Sequence, residues 1–191
     1  MSDARDIARW IGQLADPNPA QRDAAAAQLY REGASLFSSA TSEWMKHSEF
    51  RALVRSDECV VGIAVQPSTF EAIRAAHGSP RLARVPPDQD AKEFELHFTG
   101  ASFDILTTRE PGGAGAIARY LRKFGEGIQQ IEINVSDVDP ATEILRAQFK
   151  LDPVYPSTRP GADGTRVNFF LAPAQEKKAL IELVQSPAEP T

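Results

Sequence analysis

The sequence predicts an α+β fold in which two βαβββ modules form a cupped mixed sheet, preceded by an N-terminal helical extension. Three observations predict it. After residue 58, strand-length segments alternate apolar and polar residues. Each set opens with a strand followed by a helix pattern and a Pro-rich edge. One set can also be laid over the other: Val61-Gly-Ile-Ala-Val65 aligns with Ile131-Glu-Ile-Asn-Val135, and Phe103-Asp-Ile-Leu106 with Ile181-Glu-Leu-Val184. Because half of each strand is apolar, each sheet needs a helix on one face.

Taken in order, Ile7, Trp10, Ile11 and Leu14 form an apolar stripe on a helix over residues 3–15, which Asp16-Pro-Asn-Pro19 ends. Asn18 caps a second helix with Pro19 at its first position, and Gly33 is expected to close it after Arg31. A third helix is expected over 35–46 and a short fourth over 49–54. The first pair resembles a single HEAT-type repeat. Such a repeat must bury its face, either on its own domain as a cap or on a partner.

The period then changes to two. Residues 59–65 read as a buried strand, and Ser68-Thr-Phe-Glu71 as the capping box of a helix stopped by Gly78-Ser-Pro80. Prolines near residues 81–90 permit only a short edge strand or loop. Residues 93–98 and 102–107 form a hairpin turning at Gly100. Pro111-Gly-Gly-Ala-Gly115 is a flexible link to a helix over 115–124; it lacks the Lys-Ser/Thr ending of a phosphate loop.

The second set runs as a strand over 129–135, a helix capped by Asp139 with Pro140 first, a Pro-rich edge over 152–160, and strands over 166–171 and 180–184. Residues 186–191 should be a frayed tail. The expected division is a helical extension (1–55), a main domain (56–186) and a tail (187–191). The main domain comprises module one (58–110), a linker helix (111–125) and module two (126–186).

At 191 residues, 42% hydrophobic and 25% charged, the chain can bury one substantial core. No apolar run reaches membrane-spanning length, no secretion signal opens the chain, and one cysteine cannot form an internal disulfide. A cytoplasmic location and no membrane partner are expected. A net charge of -5 argues against nucleic acid as a partner, and Arg119, Arg122 and Lys123 read as a solvated helix face. Cys59 reads as a small buried hydrophobe, and His47 and His77 as helix-end residues without chemistry.

The order of elements resembles the vicinal oxygen chelate superfamily, which includes glyoxalase I, bleomycin resistance proteins, extradiol dioxygenases and methylmalonyl-CoA epimerase. The segments Lys123-Phe-Gly-Glu-Gly-Ile-Gln-Gln-Ile-Glu-Ile-Asn-Val-Ser-Asp-Val-Asp139 and Arg159-Pro-Gly-Ala-Asp-Gly-Thr-Arg-Val-Asn-Phe-Phe170, with the ending Leu180-Ile-Glu-Leu183, carry the resemblance, which covers residues 58–185. It implies a divalent metal held by four side chains, usually two histidines, a glutamine or glutamate, and a glutamate. Those positions fall on Val60, Asp104, Gln130 and Glu182. Only Glu182 matches outright, so no resident cofactor is expected. A weakly held hard cation on Asp104, Gln130 and Glu182 is the exception this set allows.

Alternation places Gln130, Glu132 and Asn134 on one face with Leu180, Glu182 and Val184, and is expected to add Arg166, Asn168 and Phe170. Arg166 either pairs internally with a carboxylate or grips a ligand anion while Glu182 or Glu132 acts as base. His97, on the polar side of its strand, is expected to reach Asp104. Gln130, Asn134, Asn168, Arg166, His97 and Asp104 are thus candidate ligand-binding residues, with Glu182 and Glu132 the catalytic candidates. Three functions follow: a protein binding a small polar molecule in its cup, an epimerase- or lyase-type enzyme, or an interaction protein using its helices. Two modules in one chain allow a monomer and permit a homodimer.

Overall fold

A computed structural model describes residues 3–187. Its helices are α1 (Ala4–Gln13), α2 (Pro19–Thr41), α3 (Ser48–Leu53), α4 (Pro67–Ala76), α5 (Ala116–Phe124) and α6 (Val138–Phe149). Its strands are β1 (Val60–Ala64), β2 (Lys92–Phe98), β3 (Ala101–Thr107), β4 (Gly127–Asn134), β5 (Arg159–Pro160), β6 (Arg166–Ala174) and β7 (Lys177–Gln185). The tail expected at 186–191 falls outside the described residues beyond Pro187. No described helix is long and apolar enough to cross a membrane. The chain divides into two compact units: residues up to Gly33 with Val60–Gln129, and Ala34–Cys59 with residues from Gln130 on.

The internal duplication is visible as one register used twice. In the first unit β1 pairs in parallel with β3, setting Val61 beside Phe103, Gly62 beside Asp104, and Ile63 beside Ile105. In the second, β4 pairs in parallel with β7, setting Ile131 beside Ile181, Glu132 beside Glu182, and Ile133 beside Leu183. Both pairings carry the offset of the sequence alignment. An antiparallel partner follows in each, giving the orders β2-β3-β1 and β4-β7-β6-β5. The first module's outer edge stays a loop tied by the Ala83 N–H to Glu93 O at 3.0 Å. Pro80, Pro86 and Pro87 supply no N–H for a longer ladder there.

The N-terminal helices pack on these sheets. In the first unit Ile11, Leu14, Ala26 and Leu29 are fully buried. His77 Nε2 donates to Leu14 O at 2.9 Å, and the Tyr30 ring meets Phe103 edge-on at 6.1 Å. A stripe buried this way is the cap form of the helix pair. In the second unit Trp44 packs against Phe50 at 5.9 Å and Phe149 at 6.4 Å. Val54 bridges Val135, flanked by Ser136 N–H to Leu53 O at 2.7 Å and Arg55 N–H to Asn134 O at 2.8 Å.

Three local expectations are corrected. Gly33 does not end a helix, because α2 runs through it to Thr41. A Cβ at Gly33 would lie 2.4 Å from Val61 Cγ2, so the glycine serves a close helix-to-strand approach. A mid-helix glycine costs about 1 kcal/mol against alanine. Forcing a methyl into a packed contact costs about 1–3 kcal/mol, so the contact decides the residue. Helix α4 starts before the expected capping box, with Gln66 as N-cap and Pro67 at its first position. Helix α6 is capped by Asp137, whose carboxylate accepts the Asp139 N–H, leaving the Asp139 side chain for another partner.

The glycine link is also better anchored than a flexible linker. Asp90 accepts from Thr108 Oγ1 at 2.6 Å and from the N–H groups of Arg109 and Glu110 at 2.9 and 3.0 Å. Arg122 and Arg119 donate to the carbonyls of Gly113 and Ala114 in the same link.

Candidate functional site

The two faces of the second unit's sheet differ sharply. Ile131, Ile133, Phe170, Ala172, Ile181 and Leu183 are at most 1% exposed, and α6 lays Val138, Ala141 and Leu145 against that side. The face turned away from α6 carries Gln130, Glu132 and Asn134 on β4 with Leu180, Glu182 and Val184 on β7, as alternation predicts. Glu182 is 7% exposed and Gln130 9%.

A carboxylate this buried needs hydrogen-bond partners, because desolvating a charge without them costs several kcal/mol. Gln130 provides one. Its Nε2 donates to Glu182 Oε2 at 2.5 Å and to Glu132 Oε1 at 3.3 Å. The carboxyl oxygens accept, and the amide presents its NH2 to both of them. One glutamine thus spans two glutamates that stand side by side in the ladder, where like charges would otherwise repel.

On β6 the expected face assignment is reversed. The antiparallel register sets Phe169 opposite Glu182, Val167 opposite Val184 and Leu171 opposite Leu180. Val167, Phe169 and Leu171 therefore share the Glu182 face, and Arg166, Asn168 and Phe170 face α6. Strand β6 is apolar on both sides, so alternation alone could not fix its phase. Asn168 is 1% exposed, and its Oδ1 accepts the Phe169 N–H at 2.9 Å.

Arg166 clamps the start of α6. Its guanidinium donates to Asp139 Oδ2 at 2.6 Å and Gln185 Oε1 at 3.0 Å, and lies 3.8 Å from Asp137 Oδ1. Gln185 Oε1 also accepts the Val138 N–H at 3.2 Å, so side chains from β6 and β7 serve the N-terminus of one helix. The Thr158 hydroxyl and the Arg166 guanidinium hold the Asp139 carboxyl below the usual carboxylate range. The same Asp139 bond raises the already high arginine value further.

In the first unit Asp104 lies opposite Glu95 on one side and Gly62 on the other. His97 does not turn to Asp104. Its Nε2 meets Glu95 Oε2 at 3.1 Å and its Nδ1 meets Ser102 Oγ at 3.3 Å, with the side chain 66% exposed. His47 lies at two helix ends, closing the short turn Trp44–Lys46 and capping α3, where its Nδ1 accepts the Phe50 N–H at 3.4 Å. A separate cavity of about 400 Å³ in this unit lies between α2 and the hairpin turn, lined by Asp23, Tyr30, Arg31 and Phe98. It contains none of the candidate site residues.

Sequence reasoning missed the outer part of the Glu182 face. Phe169 meets the Tyr155 ring at 6.0 Å, and the Arg159 guanidinium lies over Tyr155 at 4.4 Å. Arg159 stands opposite Val167 in the β5–β6 pairing and so projects to the same side as Glu182. The signal was available in Tyr155 and Arg159, four residues apart on an edge read for its prolines and, from Arg159 on, for the family resemblance.

The duplicated βαβ-type modules, the parallel pairing of first and last strands, and a carboxylate at the centre of the last strand define the chain's class: it belongs to the vicinal oxygen chelate superfamily. Among solved structures it is similar to a methylmalonyl-CoA epimerase from Mycobacterium tuberculosis, with 30% identity and a TM-score of 0.55 over 68% of this chain and 87% of that one. A variant of the Streptomyces coelicolor methylmalonyl-CoA epimerase in complex with 2-nitronate-propionyl-CoA is 26% identical, with a TM-score of 0.54 over 71% of this chain and 99% of that one. A methylmalonyl-CoA epimerase in complex with methylmalonyl-CoA and NH4+ is also 26% identical, with a TM-score of 0.55 and coverages of 71% and 96%. No protein-family model matches the sequence, and no curated protein does.

Proposed function

We propose that this chain binds a small polar molecule on the Glu182 face without a resident transition metal. The observation that carries this reading is the Gln130 amide, which turns its nitrogen to Glu182 and Glu132. The superfamily pattern puts an imidazole nitrogen at that position; Gln130 has none, and its amide oxygen is a weaker neutral ligand. Val60 offers no donor atom at all. Among the described residues no group of three or more His, Cys, Asp and Glu side chains could hold a metal ion. This donor set does not fit the divalent metal that the superfamily pattern calls for.

What remains is a hydrogen-bonded acidic centre. Carboxylates held by an amide accept from a ligand hydroxyl or ammonium, and a carboxylate beside an acidic C–H can take its proton. Calorimetric titration of methylmalonyl-CoA into chelator-treated protein tests the reading. Saturable binding that weakens in Glu182→Gln is expected. Binding that appears only when Co²⁺ or Mg²⁺ is restored contradicts it.

A second reading, an epimerase acting next to a thioester carbonyl, is favoured by the likeness to methylmalonyl-CoA epimerases over most of their length. In it, Glu182 or Glu132 removes the proton. Solvent deuterium entering C2 of methylmalonyl-CoA, followed by NMR and lost in both Glu132→Gln and Glu182→Gln, supports it. Binding without exchange leaves the first reading alone.

A further inference from the structure

The cavity of the first unit shares no residue with the Glu182 face. Its helical wall is Asp23, Ala27, Tyr30 and Arg31, which stand at i, i+4, i+7 and i+8 of α2 and so form one stripe. The opposite wall is the end of the β2–β3 hairpin, Phe98, Thr99, Gly100 and Ala101. Along the stripe an acid stands at one end and a cation at the other. An alanine and an aromatic ring lie between them.

Packing fixes the apolar part of this cavity. The Tyr30 and Phe98 rings both meet the Phe103 ring edge-on, at 6.1 and 5.8 Å. Phe103 is fully buried and holds the two rings in place from below. The small side chain of Ala27 leaves the space open above α2, about 400 Å³ in all. Across from it Gly100 turns the chain with φ +71, and a Cβ there would meet nothing within 4 Å, so the turn presents bare backbone. Asp23, Ala27, Arg31, Thr99 and Gly100 are exposed, which opens the cavity to solvent on one side.

The two charges do not satisfy each other. Eight residues of helix set them about 12 Å apart, beyond the screening length of exposed charges at physiological salt. The Asp23 carboxylate enters no hydrogen bond or ion pair among the described residues. Arg31 Nη1 donates to Gln28 Oε1 at 3.2 Å, one of the five N–H donors that a guanidinium carries. We infer that this cavity binds a zwitterion of tripeptide length. Its ammonium meets Asp23, its carboxylate meets Arg31, and its apolar middle lies over Ala27 against the Tyr30 and Phe98 rings. An extended tripeptide spans about 10 Å, which the two charged side chains bridge by leaning inward. A free α-amino acid carries both charges on one carbon and reaches only one end. This inference does not depend on the function proposed for the Glu182 face.

The test is an NMR titration of the full chain with the tripeptide Ala-Phe-Ala, its N-acetyl form, its C-terminal amide and free phenylalanine, read at the Ala27 and Gly100 amides. The free tripeptide should shift both signals saturably, and each capped form should bind roughly two- to fivefold more weakly, as exposed charge pairs do. Asp23→Asn should weaken the free tripeptide as much as acetylation does and leave the acetylated form unchanged. Arg31→Met should stand in the same relation to the amide. Ala27→Leu keeps a good helix former at an exposed position and fills the cavity, so it should abolish saturation while the rest of the spectrum stays that of the folded chain. A wild-type chain that gives no saturable shifts overturns the inference. Equal affinity for the free tripeptide in wild type, Asp23→Asn and Arg31→Met overturns it too, as does free phenylalanine binding as well as the tripeptide.

Discussion

Gln130 donates its side-chain N–H to Glu182 across neighbouring parallel strands, at a residue pair 52 positions apart in the chain. That bond joins the first and last strands of the second module at the positions where the family resemblance implies a metal. Replacing Gln130 with Met keeps the length of the side chain and deletes the donor. Two buried or half-buried carboxylates are then left facing each other, and a loss of about 1–3 kcal/mol is expected. Urea unfolding measures it; a loss below a few tenths would show that water serves Glu182 as well as the amide does.

Gly33→Ala should destabilise the chain by up to about 2 kcal/mol, the packing cost less what alanine gains as the better helix former. The added methyl meets Val61 Cγ2, which a β-branched side chain cannot swing away cheaply. Adding Val61→Ala should recover part of the loss, and the double-mutant cycle measures that coupling. Additive effects would remove the contact as the explanation.

How much was legible in the sequence follows from where periodicity is unambiguous. The duplication and the shared face of Gln130, Glu132 and Glu182 follow from β4, which alternates cleanly, and from the single charged residue at the centre of β7. Strand β6 does not alternate, because Val167, Phe169 and Leu171 are as apolar as Phe170 and Ala172. Its phase comes only from pairing, and with it the places of Arg166, Asn168 and Phe169. Gly33 misled for a related reason: glycine marks both helix ends and close packing, and only the neighbouring Val61 distinguishes them. Asp139 and Asp137 are two residues apart at one helix start, and sequence alone does not say which one caps.

Burial lowers the His77 value, with the Leu14 carbonyl bond opposing and Arg22 adding to the shift. The unfolded histidine titrates near ~6.5. A folded value below that means the unfolded chain binds more protons as the medium acidifies, so stability is complete above ~6.5 and is lost as pH falls through the folded value. His77→Gln retains a donor for Leu14 O and removes the titration. The melting temperature of wild type should therefore fall relative to His77→Gln between pH 7 and pH 5, and parallel curves would contradict the account.

Asp139 gives the same sign in a lower window. Its folded value is depressed by Thr158 and Arg166, so its contribution is present above the unfolded value near ~3.9 and is lost as pH falls through the folded one. Asp139→Asn should melt lower than wild type at neutral pH, with the gap closing below about pH 4. Exposure of the pair keeps the neutral-pH gap small, about 1 kcal/mol or less. Arg166→Met should show a similar loss with ligand binding intact, since its guanidinium faces α6; a selective loss of binding would return Arg166 to the site.

The central claim is that the Glu182 face works as a hydrogen-bonded acidic centre and not as a metal centre. Elemental analysis of protein loaded with Co²⁺ and then dialysed tests it most directly, on wild type and Glu182→Ala side by side. Metal far below one ion per chain, and equal in the two proteins, is the expected result. One tightly held ion per wild-type chain that disappears in Glu182→Ala would contradict the account.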